Sequence, residues 1–438
     1  MLPCEVLDIL RRLNESGFAA YAVGGCVRDQ LLGRTPEDWD LTTSARPEQV
    51  MELFAPHCIP TGLQHGTVTV RRNHRSFEVT TFRTDGAYSD HRHPDGVRFS
   101  DRLEEDLKRR DFTIGAMAID VGGRIVDLFG GQEDLKNGVI RCVGEADRRF
   151  DEDALRIMRA LRFASVLGFT IAPDTAEAIR REREKLRCIA VERICVEMTK
   201  LLCGKDVARV LLEFPEVIGV FLPEMLPAVG FDQRNQHHCY DVWEHTARAV
   251  EAVPAEPVLR WTMLLHDLGK PHCFTVDGNG VGHFYGHGKI SRTLALESMS
   301  RLKFDNDSRD RIGLLVDWHD RVIPCTRKGL RRTLNKLGSD GVAQLIAVKR
   351  ADNLAQAPAY RERQRELDRA EEIIAELLSE DACFSLKQLA VNGRDMMDLG
   401  LSGPAIGQML QRLLDQVLEE KLPNDRETLL EWAEEQND

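Results

Sequence analysis

The chain has 438 residues, 42% of them hydrophobic and 30% charged, and a formal net charge of −12. This composition excludes a disordered or fibrous chain, and the length predicts two to four domains. The sequence has no apolar run close to the roughly 20 residues of a membrane-spanning helix, and its eleven cysteines form no CxxC pair. We therefore expect a cytoplasmic protein with reduced thiols and no membrane partner.

The negative charge is concentrated at one end of the chain. Residues 351–438 have a net charge of −11, whereas residues 1–350 total −1 and residues 301–350 alone carry +6. An acidic protein ordinarily repels nucleic acid, but here the basic side chains are clustered in segments that could follow a phosphate backbone. The net charge therefore does not exclude an RNA partner.

Strands and helices are predicted to alternate in the first part of the chain, and helices alone in the rest. Runs of β-branched and aromatic residues at 19–23 and 77–82 predict strands. From about Asp151 onward apolar residues recur at helical spacing, and residues 241–355 and 360–435 are predicted to be helical throughout. The predicted fold is an α/β head followed by all-α segments.

A glycine pair follows the first predicted strand. Gly24 and Gly25 separate this strand from a predicted helix over residues 26–32. Glycine lets backbone N–H groups approach a phosphate closely, and a helix N-terminus favours negative charge. The alternative is a glycine turn that serves packing alone.

Two carboxylates come next, spaced for one face of a strand. If residues 38–40 are extended, Asp38 and Asp40 point the same way, and Glu78 on the later predicted strand offers a third carboxylate. Such carboxylates can hold two divalent ions that activate a hydroxyl and bridge nucleotide phosphates. The alternative is a solvated strand edge.

Further charged pairs could bind a nucleotide. Arg110 and Asp111 could clamp a triphosphate and hydrogen-bond a ribose hydroxyl. On a predicted helix, Asp153 and Arg156 would be neighbours one turn apart, and their simplest role is a salt bridge of about 0.2–0.5 kcal/mol. As a base-reading pair they would select cytosine and adenine, because both bases place an amino donor beside a ring-nitrogen acceptor, whereas uracil and guanine reverse that pattern.

The motifs together resemble those of the class II tRNA nucleotidyltransferases, the CCA-adding enzymes. The matching runs, in order over about residues 15–230, are Gly24-Gly25-x-Val27-Arg28-Asp29-x-Leu31-Leu32-Gly33, Asp38-x-Asp40, Arg109-Arg110-Asp111-Phe112-Thr113, Glu152-Asp153-x-x-Arg156-x-x-Arg159-Ala160-x-Arg162-Phe163 and Val191-Glu192-Arg193-Ile194. The resemblance implies a polymerase-β-like head with helical neck, body and tail, which adds C, C and A to the tRNA 3′ end from CTP and ATP.

The same resemblance implies roles for individual residues. Asp38 and Asp40 would hold Mg²⁺, with Glu78 as a third catalytic carboxylate. Asp153 and Arg156 would read the base. The residues implied to bind the rest of the nucleotide are Gly24, Gly25, Arg28, Arg110, Asp111, Arg159 and Arg162.

One position departs from the family's pattern, and one segment bears on how many nucleotides the enzyme adds. Gly115 stands where the family usually has Asn, which puts in doubt whatever that amide supports. Residues 84–97 match the family's flexible loop, which disfavours an enzyme that adds only CC. The choice between full CCA addition and A-only addition stays open.

A second set of residues suggests a metal centre in the middle of the chain. Eight of the 13 histidines fall between His237 and His319. The candidate ligands, which mix imidazole and carboxylate as transition-metal sites do, are His245, His266, Asp267, His287, His319 and Asp352. Over about residues 240–355 this set resembles the HD-domain metal-dependent phosphohydrolases, which implies phosphatase or cyclic phosphodiesterase activity and a second divalent metal. The alternative is a scaffold that keeps the ligands without turnover.

The predicted organisation has four parts: a catalytic head (1–140), a neck for base recognition and RNA binding (141–230), an HD domain (231–355) and a helical tail with a tRNA contact (356–438). Two rivals share the head: an A-adding tRNA nucleotidyltransferase and a poly(A) polymerase. A rival from another class is an HD phosphohydrolase whose transferase head only binds RNA. The number of subunits is not indicated.

Overall fold

A computed structural model describes residues 2–86, 96–380 and 382–437. The chain divides into two compact units, Met1–Leu226 and Pro227–Asp438. Within the described residues, no helix is both long enough and apolar enough to cross a membrane. The eleven cysteines are all free thiols.

The first unit is built on a mixed seven-stranded sheet with the order β3-β4-β5-β2-β1-β8-β9, in which β2 and β5 are parallel and the other pairs antiparallel. Two further pairs lie outside the sheet: β6 with β7, and β10 with β11. The strands are β1 (Ala20–Val23), β2 (Asp40–Thr43), β3 (Cys58–Gly62), β4 (Thr67–Arg72), β5 (Arg75–Thr81), β6 (Arg83–Asp85), β7 (Val97–Phe99), β8 (Met117–Ile119), β9 (Ile125–Asp127), β10 (Val139–Ile140) and β11 (Thr170–Ile171).

Helices surround this sheet and make up the rest of the unit. They are α1 (Cys4–Glu15), α2 (Gly25–Leu31), α3 (Pro47–Phe54), α4 (Leu103–Lys108), α5 (Gly131–Asn137), α6 (Ala146–Glu152), α7 (Leu155–Leu167), α8 (Pro173–Glu182), α9 (Val191–Leu202), α10 (Val207–Glu213) and α11 (Pro215–Ile218). The predicted α/β head and the helical segment after it are therefore both present.

Two local predictions in this unit are wrong in the same way. β2 begins at Asp40, so Asp38 lies before the strand rather than on it. Asp153 lies in the break between α6 and α7, with extended backbone angles of φ −143° and ψ 103°. In both places the two charged residues lie on either side of the end of a helix or strand, and not within one element.

The second unit is almost entirely helical. Its helices are α12 (Val242–Ala252), α13 (Pro257–Leu265), α14 (His287–Arg301), α15 (Asn306–Trp318), α16 (Arg327–Leu354), α17 (Arg363–Ser379), α18 (Gly393–Asp398), α19 (Pro404–Leu418) and α20 (Arg426–Glu435). One short hairpin, β12 (Thr275–Val276) with β13 (Gly282–His283), interrupts the region that the sequence predicted to be helical throughout.

Two apolar cores support this unit. One joins α15, α16 and α17 through residues such as Leu315, Leu345 and Ile373. The other is formed by α18, α19 and α20 around Met396, Leu413 and Leu429. The first core anchors the long helix that carries Asp352.

The basic cluster of residues 327–332 is neutralised within the unit. Arg327 pairs with Glu376 at 3.3 Å, Arg331 with Glu420 at 3.4 Å, and Lys328 lies 3.8 Å from Glu419. Because these cations already have carboxylate partners, the positive charge of residues 301–350 offers less to an RNA than its sum suggests.

Candidate active sites

The glycine turn of the first unit brings the predicted head residues to one point. Gly24 adopts φ 86°, a conformation that side chains rarely take, and α2 begins directly after it. A Cβ on Gly24 would lie 3.0 Å from Arg110 Nη1 and 3.9 Å from Asp40 Oδ2. The turn, the basic group and the carboxylate are therefore neighbours, and Gly24 leaves the space between them open.

The three predicted carboxylates lie on or directly before the parallel strands β2 and β5. Asp40 and Glu78 are direct register partners on β2 and β5, and Asp38 lies two residues before Asp40; all three residues are exposed. Partial loss of hydration raises the pKa of the Asp40 carboxyl, and the negative charge of Asp38 raises it further. The positive charge of Arg110 lowers this pKa but does not cancel the increase. Oxygen ligands that repel each other suit a hard cation such as Mg²⁺.

Asp106 is a buried carboxylate beside the predicted site residue Arg110, and the sequence reasoning did not single it out. Its carboxylate is fully buried at the end of α4 and accepts hydrogen bonds from Arg109 Nε and Nη2 at 2.9 and 2.8 Å, and from Arg110 Nη2 at 3.3 Å. Burial would raise the pKa of Asp106, but these two guanidinium groups outweigh it and lower the pKa. An acidic residue three and four positions before an arginine pair on a helix was the available signal.

The predicted nucleotide-binding residues around α7 are held by ion pairs. Arg159 Nε donates to Asp111 Oδ2 at 2.7 Å, so the helix is tied to the Arg110-Asp111 segment. Burial would raise the pKa of Asp111, but Arg159 outweighs it and the pKa is lowered. Arg28 makes two hydrogen bonds of 2.9 Å to Asp29, and Arg162 donates to Glu197 at 2.5 Å.

The base-reading pair has different partners from those expected of one continuous helix. Asp153 Oδ1 accepts from the N–H of Leu155 at 3.0 Å, and its Oδ2 accepts from Arg193 Nη2 at 3.3 Å. Arg156 Nη1 donates to Glu152 at 2.7 Å, and its Nη2 donates to the Arg109 carbonyl at 3.2 Å. Each of the two side chains thus has partners of its own, and Arg156 is linked to the segment that carries Arg110.

Gly115 lies beside Asp111, the carboxylate that the sequence predicts to bind the nucleotide. A Cβ at this position would be 3.7 Å from Asp111 Oδ1, which is ordinary van der Waals contact. An asparagine here could therefore reach Asp111, and in this chain Asp111 Oδ1 accepts instead from the Phe112 N–H at 2.9 Å. Of the loop segment 84–97, residues 87–95 lie outside the described residues, while its ends pair as β6 and β7.

The predicted HD residues converge in the second unit on one carboxylate. His266 and Asp267 lie in the turn that follows α13, not within the helix. Asp267 Oδ2 is 3.2 Å from His266 Nε2 and 3.4 Å from His245 Nε2. Asp267 Oδ1 is 3.4 Å from His287 Nε2 and 3.6 Å from His319 Nε2. The two oxygens of one aspartate therefore face two different histidine pairs.

Asp352 completes the first group. Its Oδ1 lies 2.9 Å from His245 Nε2 and 3.6 Å from His266 Nε2. Three of the candidate histidine ligands are also held through their second ring nitrogen. Nδ1 lies 2.6–2.9 Å from a backbone carbonyl oxygen in His266, His287 and His319. Such contacts fix the tautomer and orient Nε2 toward the centre.

The residues present fit a divalent metal at this centre. Both carboxylate oxygens of Asp267 are buried, and within the described residues neither has a hydrogen-bond partner of good geometry, although Lys270 Nζ lies 2.7 Å from Oδ2. Groups of three ligand atoms within 4.8 Å of one another occur, in the described part of the chain, at His245–His266–Asp267 and at Asp267–His287–His319. Imidazole-rich donors favour a transition metal over Mg²⁺.

The cluster has strongly shifted ionisation equilibria. Burial would lower the pKa of His266, but the adjacent Asp267 outweighs it and raises the pKa to about 10. His266 and Lys270 in turn hold the pKa of Asp267 well below its usual range against the effect of burial. Without a metal, protonated His266 therefore supplies the positive charge that a metal cation would otherwise bring to the buried carboxylate of Asp267.

A cavity of about 760 Å³ opens onto this cluster. Its walls include Asp267 and His287 at one end, the basic residues Lys270 and Lys349, and the exposed Tyr285. Burial lowers the pKa of Lys349 to about 8, and its Nζ donates to the His319 carbonyl at 2.6 Å. A cavity of this size holds a small organic ligand.

The fold and these two sites define a polymerase-β-like nucleotidyltransferase head, followed along the chain by helical segments that include an HD-type centre. Four family models match the chain: "Poly A polymerase head domain" over residues 20–141, "Probable RNA and SrmB- binding site of polymerase A" over 168–225, "HD domain" over 236–357 and a model of tRNA nucleotidyltransferase domain 2 over 297–433.

Named relatives agree with these models. The CCA-adding enzyme of Geobacillus stearothermophilus is 47% identical over 266 residues, which is 60% of this chain and 63% of that protein, and the match to the Oceanobacillus iheyensis enzyme spans 54% of that protein. The CCA-adding enzyme of Geobacillus kaustophilus is 36% identical over 99% of this chain and 97% of its own length. The chain belongs to the CCA-adding enzymes.

Solved structures show the same fold. The Bacillus stearothermophilus CCA-adding enzyme in complex with CTP has a TM-score of 0.76 and 33% identity, covering 100% of this chain and 98% of that one. The Thermotoga maritima CCA-adding enzyme complexed with tRNA has a TM-score of 0.58 at 20% identity, covering 99% and 95%; at that identity the likeness concerns the fold alone.

Proposed function

We propose that this chain adds C, C and A to the 3′ end of tRNA, using CTP and ATP and no nucleic-acid template. The observation that carries the proposal is the link between the base-reading residues and the carboxylate site: Arg156 donates to the Arg109 carbonyl, and the adjacent Arg110 lies beside Gly24 and Asp40. The relatives' names, and the related structure described in complex with CTP, support the same substrates.

The selection of C and A follows from hydrogen-bond chemistry. A carboxylate on Asp153 accepts from the exocyclic amino group of cytosine or adenine, and the guanidinium of Arg156 donates to the adjacent ring nitrogen. Uracil and guanine would place an acceptor against the carboxylate and a donor against the guanidinium. Each mismatched group costs about 1–3 kcal/mol, which suffices for discrimination by the protein alone.

The transfer itself is proposed to use two divalent ions. Asp38 and Asp40 would hold Mg²⁺, with Glu78 opposite Asp40 in the strand register as a third carboxylate. The ions, when bound, would lower the pKa of the attacking 3′-hydroxyl and stabilise charge on the phosphates. Arg110, held by the buried Asp106, would contact the triphosphate, and the open turn at Gly24 would admit it.

The decisive assay measures incorporation of CTP and ATP on three tRNA acceptors, ending before the CCA, after C and after CC. We expect CTP alone to extend the first acceptor by two residues and ATP to be added once, only after CC. Addition of A to the CC acceptor without any C addition would indicate an A-adding enzyme. Long A tails would indicate a poly(A) polymerase.

Base reading is tested with Asp153→Ala, using Asp151→Ala as the control because Asp151 is exposed and pairs with Lys185 at 2.7 Å. We expect the preference for CTP over UTP to fall about tenfold or more in Asp153→Ala and to stay unchanged in Asp151→Ala. An unchanged preference in both variants would remove Asp153 from the base site.

We propose a second function for the HD centre, that of a metal-dependent phosphohydrolase acting on nucleotides or RNA ends. The observation that favours it is the placement of the two buried oxygens of Asp267 toward two separate histidine pairs, which suits a two-metal centre. A resident metal would polarise a phosphoester, and Lys270 at the cavity wall could contact its charged oxygens.

Hydrolysis is tested on metal-stripped protein reloaded with Mn²⁺, Ni²⁺, Zn²⁺ or Mg²⁺. p-Nitrophenyl phosphate and bis(p-nitrophenyl) phosphate separate monoesterase from diesterase activity. We expect turnover with at least one transition metal. Metal binding without turnover of either probe or of a 2′,3′-cyclic nucleotide would make the domain a scaffold, and hydrolysis without any nucleotide addition would favour the HD hydrolase with a non-catalytic head.

We also propose the four-part organisation with boundaries near residues 140, 230 and 355, and a tRNA contact in the tail. Three family models begin or end near these three positions and support it, although the model of tRNA nucleotidyltransferase domain 2 runs across residue 355. Limited proteolysis should cut first near these boundaries, and footprinting with tRNA should protect the tail.

A further inference from the structure

Three arginines that are predicted to bind the nucleotide surround one aromatic ring. The ring centroid of Phe163 lies 3.8 Å from the guanidinium carbon of Arg162, 5.1 Å from that of Arg28 and 5.5 Å from that of Arg159. Arg159, Arg162 and Phe163 are on α7, whereas Arg28 comes from α2, directly after the glycine turn. The ring therefore connects the two helices that carry the basic side of the site.

Phe163 is itself fixed by the segment that binds the other side of the nucleotide. It is 8% exposed, and its ring packs edge-to-face on Phe112 with centroids 5.9 Å apart and an interplanar angle of 84°. Phe112 follows Arg110 and Asp111 directly and is fully buried. The ring is thus held by packing against Phe112 in addition to its contacts with the arginines.

The ring offsets the electrostatic repulsion among the three arginines. Three guanidinium groups close together repel one another, and Arg159 is one of the groups that, after burial, lower the pKa of Arg162. Within the part of the chain that the structure describes, each arginine forms an ion pair with one carboxylate. The pairs are Arg28 with Asp29 (2.9 Å), Arg159 with Asp111 (2.7 Å) and Arg162 with Glu197 (2.5 Å). The negative face of an aromatic ring attracts cations without accepting their in-plane N–H groups.

This property matters for a site that must bind phosphate. A carboxylate occupies the N–H donors that a triphosphate needs, whereas a ring leaves those donors free. Within the described residues, Arg159 and Arg162 each use only Nε for a side-chain hydrogen bond. Their terminal nitrogens are thereby available to an anionic ligand while the ring restrains the guanidinium groups.

We propose that Phe163 is a positioning residue for nucleotide binding, holding Arg28, Arg159 and Arg162 around one ring so that their free N–H groups face the triphosphate. The inference rests on the proposed nucleotide addition and adds to it a residue that touches neither metal nor nucleotide. Its role is electrostatic and steric, so it requires an aromatic ring and not merely an apolar side chain.

The test compares Phe163→Leu with Phe163→Tyr in the full chain. In Phe163→Leu we expect KM for CTP and ATP, and the Kd of CTP from calorimetry, to rise about tenfold, with kcat within about threefold. Phe163→Tyr keeps the ring face and should restore KM to within about twofold of the original chain. A structural role alone would not separate Leu from Tyr in this way.

Phe150→Leu is the matched control, because Phe150 is fully buried on the preceding helix α6. Thermal unfolding measured on all variants shows whether each is folded at the assay temperature. KM in Phe163→Leu no higher than in Phe150→Leu, or the same loss in Phe163→Tyr, overturns the inference. If the original chain adds no nucleotide yet the Kd of CTP responds as stated, the proposed reaction fails and the positioning role stands.

Discussion

The two sites of this protein differ in the exposure of their ionisable groups to solvent. In the first unit Asp38, Asp40 and Glu78 are exposed carboxylates on or directly before two parallel strands. In the second unit His266 and Asp267 are buried. Exposed oxygen ligands suit an ion that arrives with the substrate phosphates and leaves with the product. A buried, nitrogen-rich cluster suits a metal that stays, because leaving such groups without a cation is costly.

Positive charge also differs between the units. In the first, Arg159 and Arg162 pack on a ring and each pair with a carboxylate through Nε, so that their terminal nitrogens make no side-chain hydrogen bond within the described residues. In the second, Arg327 and Arg331 pair with glutamates of the same unit. Counts of basic residues therefore mislead unless the partners are known, because a paired surface cation attracts RNA less than an unpaired one.

The sharpest test of the comparison is Asp40→Asn. We expect nucleotide addition to fall at least about 1,000-fold, equivalent to about 4 kcal/mol of transition-state stabilisation, while hydrolysis of p-nitrophenyl phosphate is unchanged. Primer-extension rates on a tRNA acceptor provide the measurement. Asp101→Asn is the control, because Asp101 is exposed and only 3.4 Å from Arg46 in a surface pair; equal losses in both variants would contradict the metal assignment.

The converse substitution is Asp267→Asn. An amide cannot bridge two cations as a carboxylate does, so we expect loss of bound transition metal and of hydrolysis by about 100-fold or more, with nucleotide addition retained within about threefold. Metal content by mass spectrometry and both assays measure this. Asp310→Asn, at a surface position 77% exposed in its side chain, should change neither; retained metal in Asp267→Asn would show that Asp267 is not a ligand.

Metal affinity of the HD centre should depend steeply on pH. Because the pKa of His266 is raised to about 10 without metal, a cation must displace its proton, and affinity should fall about tenfold for each pH unit below 10. In the metal-free protein the same proton stabilises the fold: the contribution is complete below about pH 6.5 and is lost as pH rises through about 10.

Calorimetric titration of Mn²⁺ or Zn²⁺ at pH 6.5 and pH 8 measures this dependence. Repeating each titration in buffers of different ionisation enthalpy counts the protons released. A pH-independent affinity with no proton release would show that His266 is neutral before the metal binds.

The smallest effect is expected from Gly115→Asn. The position has room for a side chain beside Asp111, so we expect about 0.5 kcal/mol of added stability from reduced freedom of the unfolded chain and addition within about twofold. Gly131→Asn is the contrast, since its Cβ would lie 2.3 Å from the Thr113 carbonyl oxygen, and it should destabilise. Chemical denaturation measures both; destabilisation by Gly115→Asn would show that glycine is required there.

The sequence by itself determined the element types, the order of the motifs and the identity of the candidate ligands. Local features were sufficient for the glycine turn before α2 and for the strands β1 and β5, which follow from short-range patterns, whereas His245, His266 and Asp352 were identified through the resemblance to HD domains. The predicted bounds of helices and strands were wrong where a charged pair lies at the end of an element. This happened at Asp38, which lies before β2, and at Asp153, which lies between α6 and α7. Periodicity carries no information on where a backbone hydrogen-bond ladder stops.

Only the tertiary structure decided which groups meet. It placed Asp106 under two arginines, Phe163 among three, and the two oxygens of Asp267 toward different histidine pairs. The arrangements at Phe163 and Asp267 join residues from different elements, so they depend on how the elements pack, whereas Asp106 is close to its arginines along the chain and only its burial depends on packing. A residue's chemistry can be read from its type, but its ionisation and its partners are set by burial and by neighbours that are distant along the chain.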